Sequence, residues 1–387
     1  MRSPTLPRLM LIAILVVTAS TQAVFLLGAS FVQIGPEFGL GPVGLGALTA
    51  AFFLTASATS APLGQWVQRV GWQRAMVINT RISSVILLLI AVAARNSWTL
   101  AGLLIAAAGM YGAANPAANQ ALADHTDPAR RATIFGLKHA GIPASTLLAG
   151  LAVPLIVVQV GWRWAYAAAA LLAIVVSLLI PRHALTPRAS DGERDTTDPT
   201  PLSNRHLLEL ATGSAFATWA AIALATFLVS AAVDLGFSPS AAGTLLFVGS
   251  AFSIGARVAF GMLSDHLRSR GFALMATVTA VGAVAFVLLT LTTGAWFAVV
   301  VLAAFSSGWA WPGLMTYTVV NANRKTVATS SAITQAGVFV GAGLGPLLLG
   351  AVIERWSFDG AWLTAAAGLV IASLLIGWLG RATRPLN

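Results

Sequence analysis

Leu9-Met-Leu-Ile-Ala-Ile-Leu-Val-Val-Thr-Ala-Ser-Thr-Gln-Ala-Val-Phe-Leu-Leu-Gly-Ala29 runs for 21 residues without a charged side chain. A helix of ~20 apolar residues crosses the hydrocarbon core of a bilayer. Arg2 and Arg8 precede the run, as in a signal peptide. The run is longer than the ~7–15 residues of a signal h-region, so it reads as an uncleaved first span. Eleven further runs of similar character follow, giving segments at 9–29, 44–63, 75–94, 98–121, 133–158, 162–180, 207–231, 242–262, 272–292, 295–319, 328–353 and 361–380. They are unbroken rather than alternating, so the spans are helical and not barrel strands.

The whole composition agrees with these runs. Of 387 residues, 57% are hydrophobic and 9% charged, against ~25% charged in an ordinary soluble domain. That excludes a cytosolic enzyme, a disordered chain and a nucleic-acid binder. The absence of cysteine excludes disulfides, thiol catalysis and thiolate metal sites. No P-loop, dinucleotide fingerprint, metal-ligand spacing or nucleophile elbow is present, so neither an enzyme nor a cofactor or metal is expected.

The long polar stretch from Pro181 to His206, with four Pro, four Arg and four acids, reads as a linker between two six-helix halves, 1–180 and 207–387. The basic residues fix the expected orientation. With the N-terminus inside, sixteen Lys and Arg lie in inner loops and tails and three, Arg95, Arg163 and Arg355, in outer loops. Both termini are therefore expected in the cytoplasm, and the net charge of +10 is a topology signal facing anionic lipid. The localisation this implies is a plasma (inner) membrane, with the lipid bilayer as partner and the chain a monomer.

Three features recur at nearly one offset. Shifted by 196 residues, Gly112-Ala-Ala-Asn-Pro116 falls on Gly308-Trp-Ala-Trp-Pro312, and His139-Ala-Gly141 on Gln335-Ala-Gly337. Gly64-Gln-Trp-Val-Gln68 matches Gly261-Met-Leu-Ser-Asp265 at 197. Parallel repeats of this kind form transporters with a central site between the halves.

On these residues the chain resembles the major facilitator superfamily over essentially its whole length. That family carries a loop G-x-x-x-D-[RK]-x-G-[RK]-[RK] between spans two and three, with a degenerate copy between eight and nine. Here Gly64, Arg69, Gly71 and Arg74 are in place; Gln68 replaces the Asp, and Trp72 and Gln73 replace basic residues. The second copy keeps Gly261 and Asp265, with Arg268 and Arg270 nearby. Gly161-Trp-Arg-Trp164 at span six and Gly341-Ala-Gly-Leu-Gly-Pro346 in span eleven are similar to family runs. The resemblance implies an all-α membrane fold of twelve helices in two pseudo-symmetric bundles. It also implies a conformational latch at Gly64, Gln68, Arg69, Gly261 and Asp265, weaker in the first half because Gln68 carries no charge. Otherwise those loops merely anchor helices.

Three cations fall inside spans: Arg81, Lys138 and Arg257. An ionisable group there is costly and marks function unless it snorkels to the interface. Lys138 lies about one and a half turns into span five, ~8 Å. Gly141 and Pro143 loosen the helix beyond it. Arg257 offers a planar fork for a carboxylate-like anion, or pairs with Asp265 at the interface. Arg81 sits on span three, which is peripheral in the resembled family, so snorkelling is expected. No acid lies mid-membrane, so the cavity should be electropositive. His139 suits proton coupling, or is a hydrogen-bonded packing residue.

The resemblance places spans one, four, seven and ten around the cavity. Tyr111, Asn115 and Asn119 share one helical face. Gln22, Trp309, Trp311 and Gln335 complete the expected lining; the plain alternative is hydrogen bonding between helices. The expected function is secondary transport of a small organic or inorganic anion by alternating access. An exporter of neutral or amphipathic compounds, walled by Trp309, Trp311 and Phe25, is the alternative. A sensor without flux would normally carry a soluble domain, for which the linker and tails leave no room.

Overall fold

The computed structural model describes residues 6–126, 134, 137–181, 201–266, 271–323 and 327–383, without the side chains of 264–266, 327 and 328. They form thirteen helices and, among the described residues, no strand. Twelve are long and apolar enough to cross a membrane. They are α1 (Leu6–Ala29), α3 (Pro42–Val70), α4 (Trp72–Ala93), α5 (Ser97–His125), α6 (Gly141–Val160), α7 (Trp162–Leu179), α8 (Asn204–Asp234), α9 (Pro239–His266), α10 (Gly271–Leu289), α11 (Gly294–Ala322), α12 (Val327–Arg355) and α13 (Phe358–Ala382). The thirteenth, α2 (Phe31–Phe38), is a short helix in the first loop. With twelve crossings, both ends of the chain lie on one side, here called the terminal face; the other is the far face.

Local chemistry sets the ends. The Asn96 side chain accepts from Thr99 N–H while Thr99 Oγ1 reaches back, a reciprocal cap on α5. Ser203 and Ser357 cap α8 and α13. Two spans are not continuous. α11 breaks over Gly308–Ala310 and restarts at Trp311, with Pro312 in the first turn where its missing N–H is harmless. In the fifth span the continuous helix begins only at Gly141; Leu137 and Lys138 are helical, and His139 and Ala140 form a turn. Lys138 and His139 thus stand at a break rather than within an unbroken helix. A π-helical turn, Val153–Val157, follows in the same span and includes Pro154.

Side chains sort the helices into shells. On α4, α7, α10 and α13 large apolar groups face outward: Val85 is 56% exposed, Leu171 66%, Val284 59% and Leu374 67%. Such a surface would drive a soluble protein to aggregate; in a bilayer it is the lipid face. Arg81 is exposed on α4 among these groups, as a snorkelling cation would be. By contrast α1 and α8 are buried along almost their whole length. They form the centre with α5 and α11.

The two six-helix bundles meet tightly in their far-face half. There α3 crosses α12 and α6 crosses α9 through glycines. A Cβ on Gly46 would lie 2.2 Å from the Pro346 carbonyl oxygen, and one on Gly350 2.5 Å from that of Pro42. At the other crossing a Cβ on Gly150 would lie 2.5 Å from Phe247 N. Only the lack of a side chain permits such contact. Gly337, Gly341 and Gly345, spaced by four, do the same against α8 within the second bundle. At the rim Glu354 Oε2 accepts from Val43 N–H, 3.2 Å, placing a carboxylate on the N-terminus of α3. Thr146 and Ser250 share a buried hydrogen bond of 2.7 Å between α6 and α9.

Candidate transport site

Two connected spaces lie between the bundles. A closed central chamber of about 40 Å³ has room for only a few waters. A vestibule of about 600 Å³ opens beneath it toward the terminal face. Asn115, Lys138, His139, Met315, Gln335 and Phe339 line both, so they form the neck between them. With the far-face crossings shut and the vestibule open, access is from the terminal face.

Lys138 is buried, 4% exposed. Its ammonium donates 3.0 Å to Asn115 Oδ1 and 2.8 Å to Asn119 Oδ1, both on α5. Asn115 Nδ2 in turn donates 3.1 Å to the Tyr111 hydroxyl, and the Tyr111 ring stacks on Phe52 at 5.8 Å. The i, i+4, i+8 spacing of Tyr111, Asn115 and Asn119 is what sets this ladder beside the lysine. A buried ammonium needs oxygen partners. Here they are neutral amides, so the positive charge is solvated but not cancelled. Among the described residues, no Asp or Glu lines the chamber or the vestibule.

Arg257, on α9, is 8% exposed and lines the chamber. It donates to two backbone carbonyls, His139 at 3.1 Å and Trp309 at 2.5 Å. These oxygens are exposed because His139 and Trp309 sit at the two helix breaks. The first contact joins the two bundles. Arg257 Nε has no partner among the described residues. His139 makes a second cross-bundle contact: Nε2 lies 2.9 Å from Thr316 Oγ1.

Trp309 and Trp311 are buried and line the chamber; Trp311 Nε1 has no partner among the described residues. Gln335 lies in the neck. Phe25 stands behind the wall, edge-on to Trp309 and Phe53. Gln22 points elsewhere: its Nε2 donates 3.2 Å to the Ser145 carbonyl, beside a separate apolar recess between α1, α6 and α7. Gly64 and Gln68 line the vestibule, Gln68 and Arg69 being exposed. Gly261 has open space around it. The Asp265 side chain lies outside the described residues.

Sequence reasoning missed Met315 and Thr316. A signal existed, since the repeat offset of 196 carries Asn119 and Gln120 onto these two positions. It also missed the clamp at the far face, where Glu37 takes both guanidinium nitrogens of Arg163 (2.6 and 3.1 Å) and the Trp162 indole N–H (2.7 Å). Gln33 Oε1 accepts from Trp162 N–H, and Gly161, at φ +97, makes the turn that glycine favours. The Gly-Trp-Arg-Trp run thus pins α2 to α7.

The family model of the Major Facilitator Superfamily matches residues 10–335 and 210–387. The chain belongs to the major facilitator superfamily. Solved structures similar to this superfamily member include a bacterial homologue of the human lysosomal transporter Spinster, crystallised in two states. The inward-facing, occupied form has TM-score 0.72 at 16% identity and covers 100% of both chains. The inward-facing, unoccupied form has TM-score 0.74 at 18% identity, with 99% of this chain and 98% of that one covered. No protein of curated function matches the chain in sequence. Family and fold together describe a multi-pass membrane transporter of small molecules rather than an enzyme.

Proposed function

We propose that this transporter moves a small organic or inorganic anion by alternating access, with Lys138 as its principal charge. One observation carries the reading. The buried Lys138 ammonium is held by neutral oxygens, in spaces that no carboxylate lines among the described residues. A cationic substrate would meet a like charge in a low-dielectric site, whereas an anion would complete the pair. Arg257, with its unpartnered Nε in the chamber wall, supplies a second positive group. Tyr111, Asn115, Asn119 and Gln335 orient the ligand. His139, joining the bundles at the neck, is the proposed route for a coupling proton.

The closed far face and open vestibule correspond to the inward-facing state named for the Spinster homologue, with the terminal face cytoplasmic. The excess of basic residues in the loops of that face supports this orientation in a plasma membrane. Residues 1–180 and 207–387 then form the rocking halves, 181–206 the linker, and the protein works as a monomer. In the latch loops, the exposed Gln68 at the vestibule fits a weak contact in the first half.

The test is thermal stabilisation of the purified protein by small anions, neutral sugars and uncharged amphiphiles at two pH values. An anion should raise the melting temperature of wild type and not of Lys138→Ala. Stabilisation by neutral compounds alone, unchanged in that variant, would sink the anion reading and favour export of neutral compounds past Trp309 and Trp311.

A further inference from the structure

A further space lies apart from the transport route, on the far face. It is a cleft of about 550 Å³, within the ~300–1,000 Å³ of small-molecule sites. One wall comes from the first bundle, with Phe31 on α2 and Leu45 on α3; the other comes from the second, with Phe227, Ser230 and Asp234 on α8 and Phe358 on α13. Phe227, Ser230 and Asp234 fall at i, i+3 and i+7 on one face of α8; Phe227 is buried in the floor, Ser230 Oγ is buried beside it, and Asp234 stands exposed at the rim.

Two of these groups lack partners. Ser230 Oγ is buried with no hydrogen bond among the described residues. Asp234 is exposed and makes no ion pair among them. The neighbouring carboxylates are engaged: Glu37 with Arg163, and Glu354 with the N-terminus of α3 behind Gly41 of the cleft. The far-face loops and helix ends hold four carboxylates, Glu37, Asp234, Glu354 and Asp359, against three guanidiniums, Arg95, Arg163 and Arg355. Arg163 is paired, and Arg355 lies over the Trp356 ring. With the Glu37–Arg163 pair set aside, three carboxylates stand against two guanidiniums, a net charge of −1 on this face, opposite in sign to the central chamber. Phe358, half-buried in the wall, offers the apolar body of a cation an aromatic surface, with Phe31 and Phe227 buried beneath.

From this juxtaposition we infer that the far-face cleft binds an organic monocation with an aromatic body, its charge at Asp234, and that the occupant holds the far face closed. The second part follows from the walls. They belong to different bundles, so an occupant touching both walls loses one of them if the bundles part at this face. A ligand bound to one state alone shifts the population toward it.

The probe pair is tetraphenylphosphonium and tetraphenylborate, alike in shape and opposite in charge. Binding to the full-length protein would be measured by thermophoresis in detergent for wild type, Lys138→Ala, and Lys138→Ala combined with Asp234→Asn. In the Lys138→Ala background, which removes the principal charge of the proposed anion site, the phosphonium should bind at least about tenfold tighter than the borate, and adding Asp234→Asn should remove about that factor. Asp234 is exposed, so an unchanged ligand-free melting temperature confirms that the variant folds. Lys138→Ala should leave phosphonium binding unchanged, which separates this site from the anion reading. Equal binding of the two probes to Lys138→Ala, no effect of Asp234→Asn, or loss of phosphonium binding in Lys138→Ala would each overturn the assignment.

Discussion

Replacing Gly46 by alanine tests whether the far-face crossing sets the conformational balance. The added Cβ would lie 2.2 Å from the Pro346 oxygen, 2.8 Å from its carbonyl carbon and 3.0 Å from Leu347 Cα. All three are backbone atoms of α12, so no side chain can swing aside. Ordinary contact begins at 3.4 Å, so α3 and α12 must separate by roughly 1.2 Å. Overpacking of this kind costs about 1–3 kcal/mol. The proposed alternating access parts the bundles at this face, so the cost falls on the far-face-closed state. The population should therefore move about 5- to 150-fold toward the state open at the far face. The chain contains no cysteine, so Ser331→Cys in the vestibule wall would place a single thiol there. Its reaction with a polar maleimide should slow in the Gly46→Ala background by up to that factor. Gly255→Ala, whose Cβ meets nothing within 4 Å, should leave the rate unchanged. An unchanged rate in a folded Gly46→Ala protein would refute the reasoning, since the two faces would then not be coupled through this crossing.

Three further outcomes follow from particular contacts. The Arg163 guanidinium, bonded to Glu37, holds that carboxyl below the usual carboxylate range, with Trp162 adding to the effect against partial desolvation. The pair's stability is thus fully present above the unfolded carboxylate pKa and lost as pH falls through the folded value. Glu37→Gln should flatten the acid limb of melting temperature against pH by less than about 1 kcal/mol, as both side chains are a third exposed. For the bond between Thr146 and Ser250, a double-mutant cycle with Thr146→Val and Ser250→Ala should give a coupling of about 0.6 kcal/mol and no more than about 1.7, measured by unfolding in detergent. Arg257→Lys should lower the melting temperature, because a single ammonium nitrogen of shorter reach replaces the two separate nitrogens, Nη1 and Nη2, that each reach one carbonyl; an unchanged melt would show that the planar fork is dispensable.

The twelve spans were legible because the signal is one-dimensional: ~20 apolar residues suffice, whatever packs beside them. The face formed by Tyr111, Asn115 and Asn119 was legible for the same reason, since helical spacing alone aligns it. The purely cationic set of charges inside the spans was a matter of counting. Direction was not legible. Gln22 is as polar as Asn115, yet it turns to the Ser145 carbonyl because α6 passes on that side. Arg257 meets two backbone oxygens that exist as acceptors only because α11 and the fifth span break beside it.

The sequence by itself determined which segments are solvated by lipid and which charges fall within them, since both follow from transfer free energies of residues taken in order. Tertiary structure alone decided that Lys138 is cradled by amides, that glycines shut one face, and that Asp234 borders a cleft. Each of these depends on atoms brought together from different helices, and so on the packing that sets their separation.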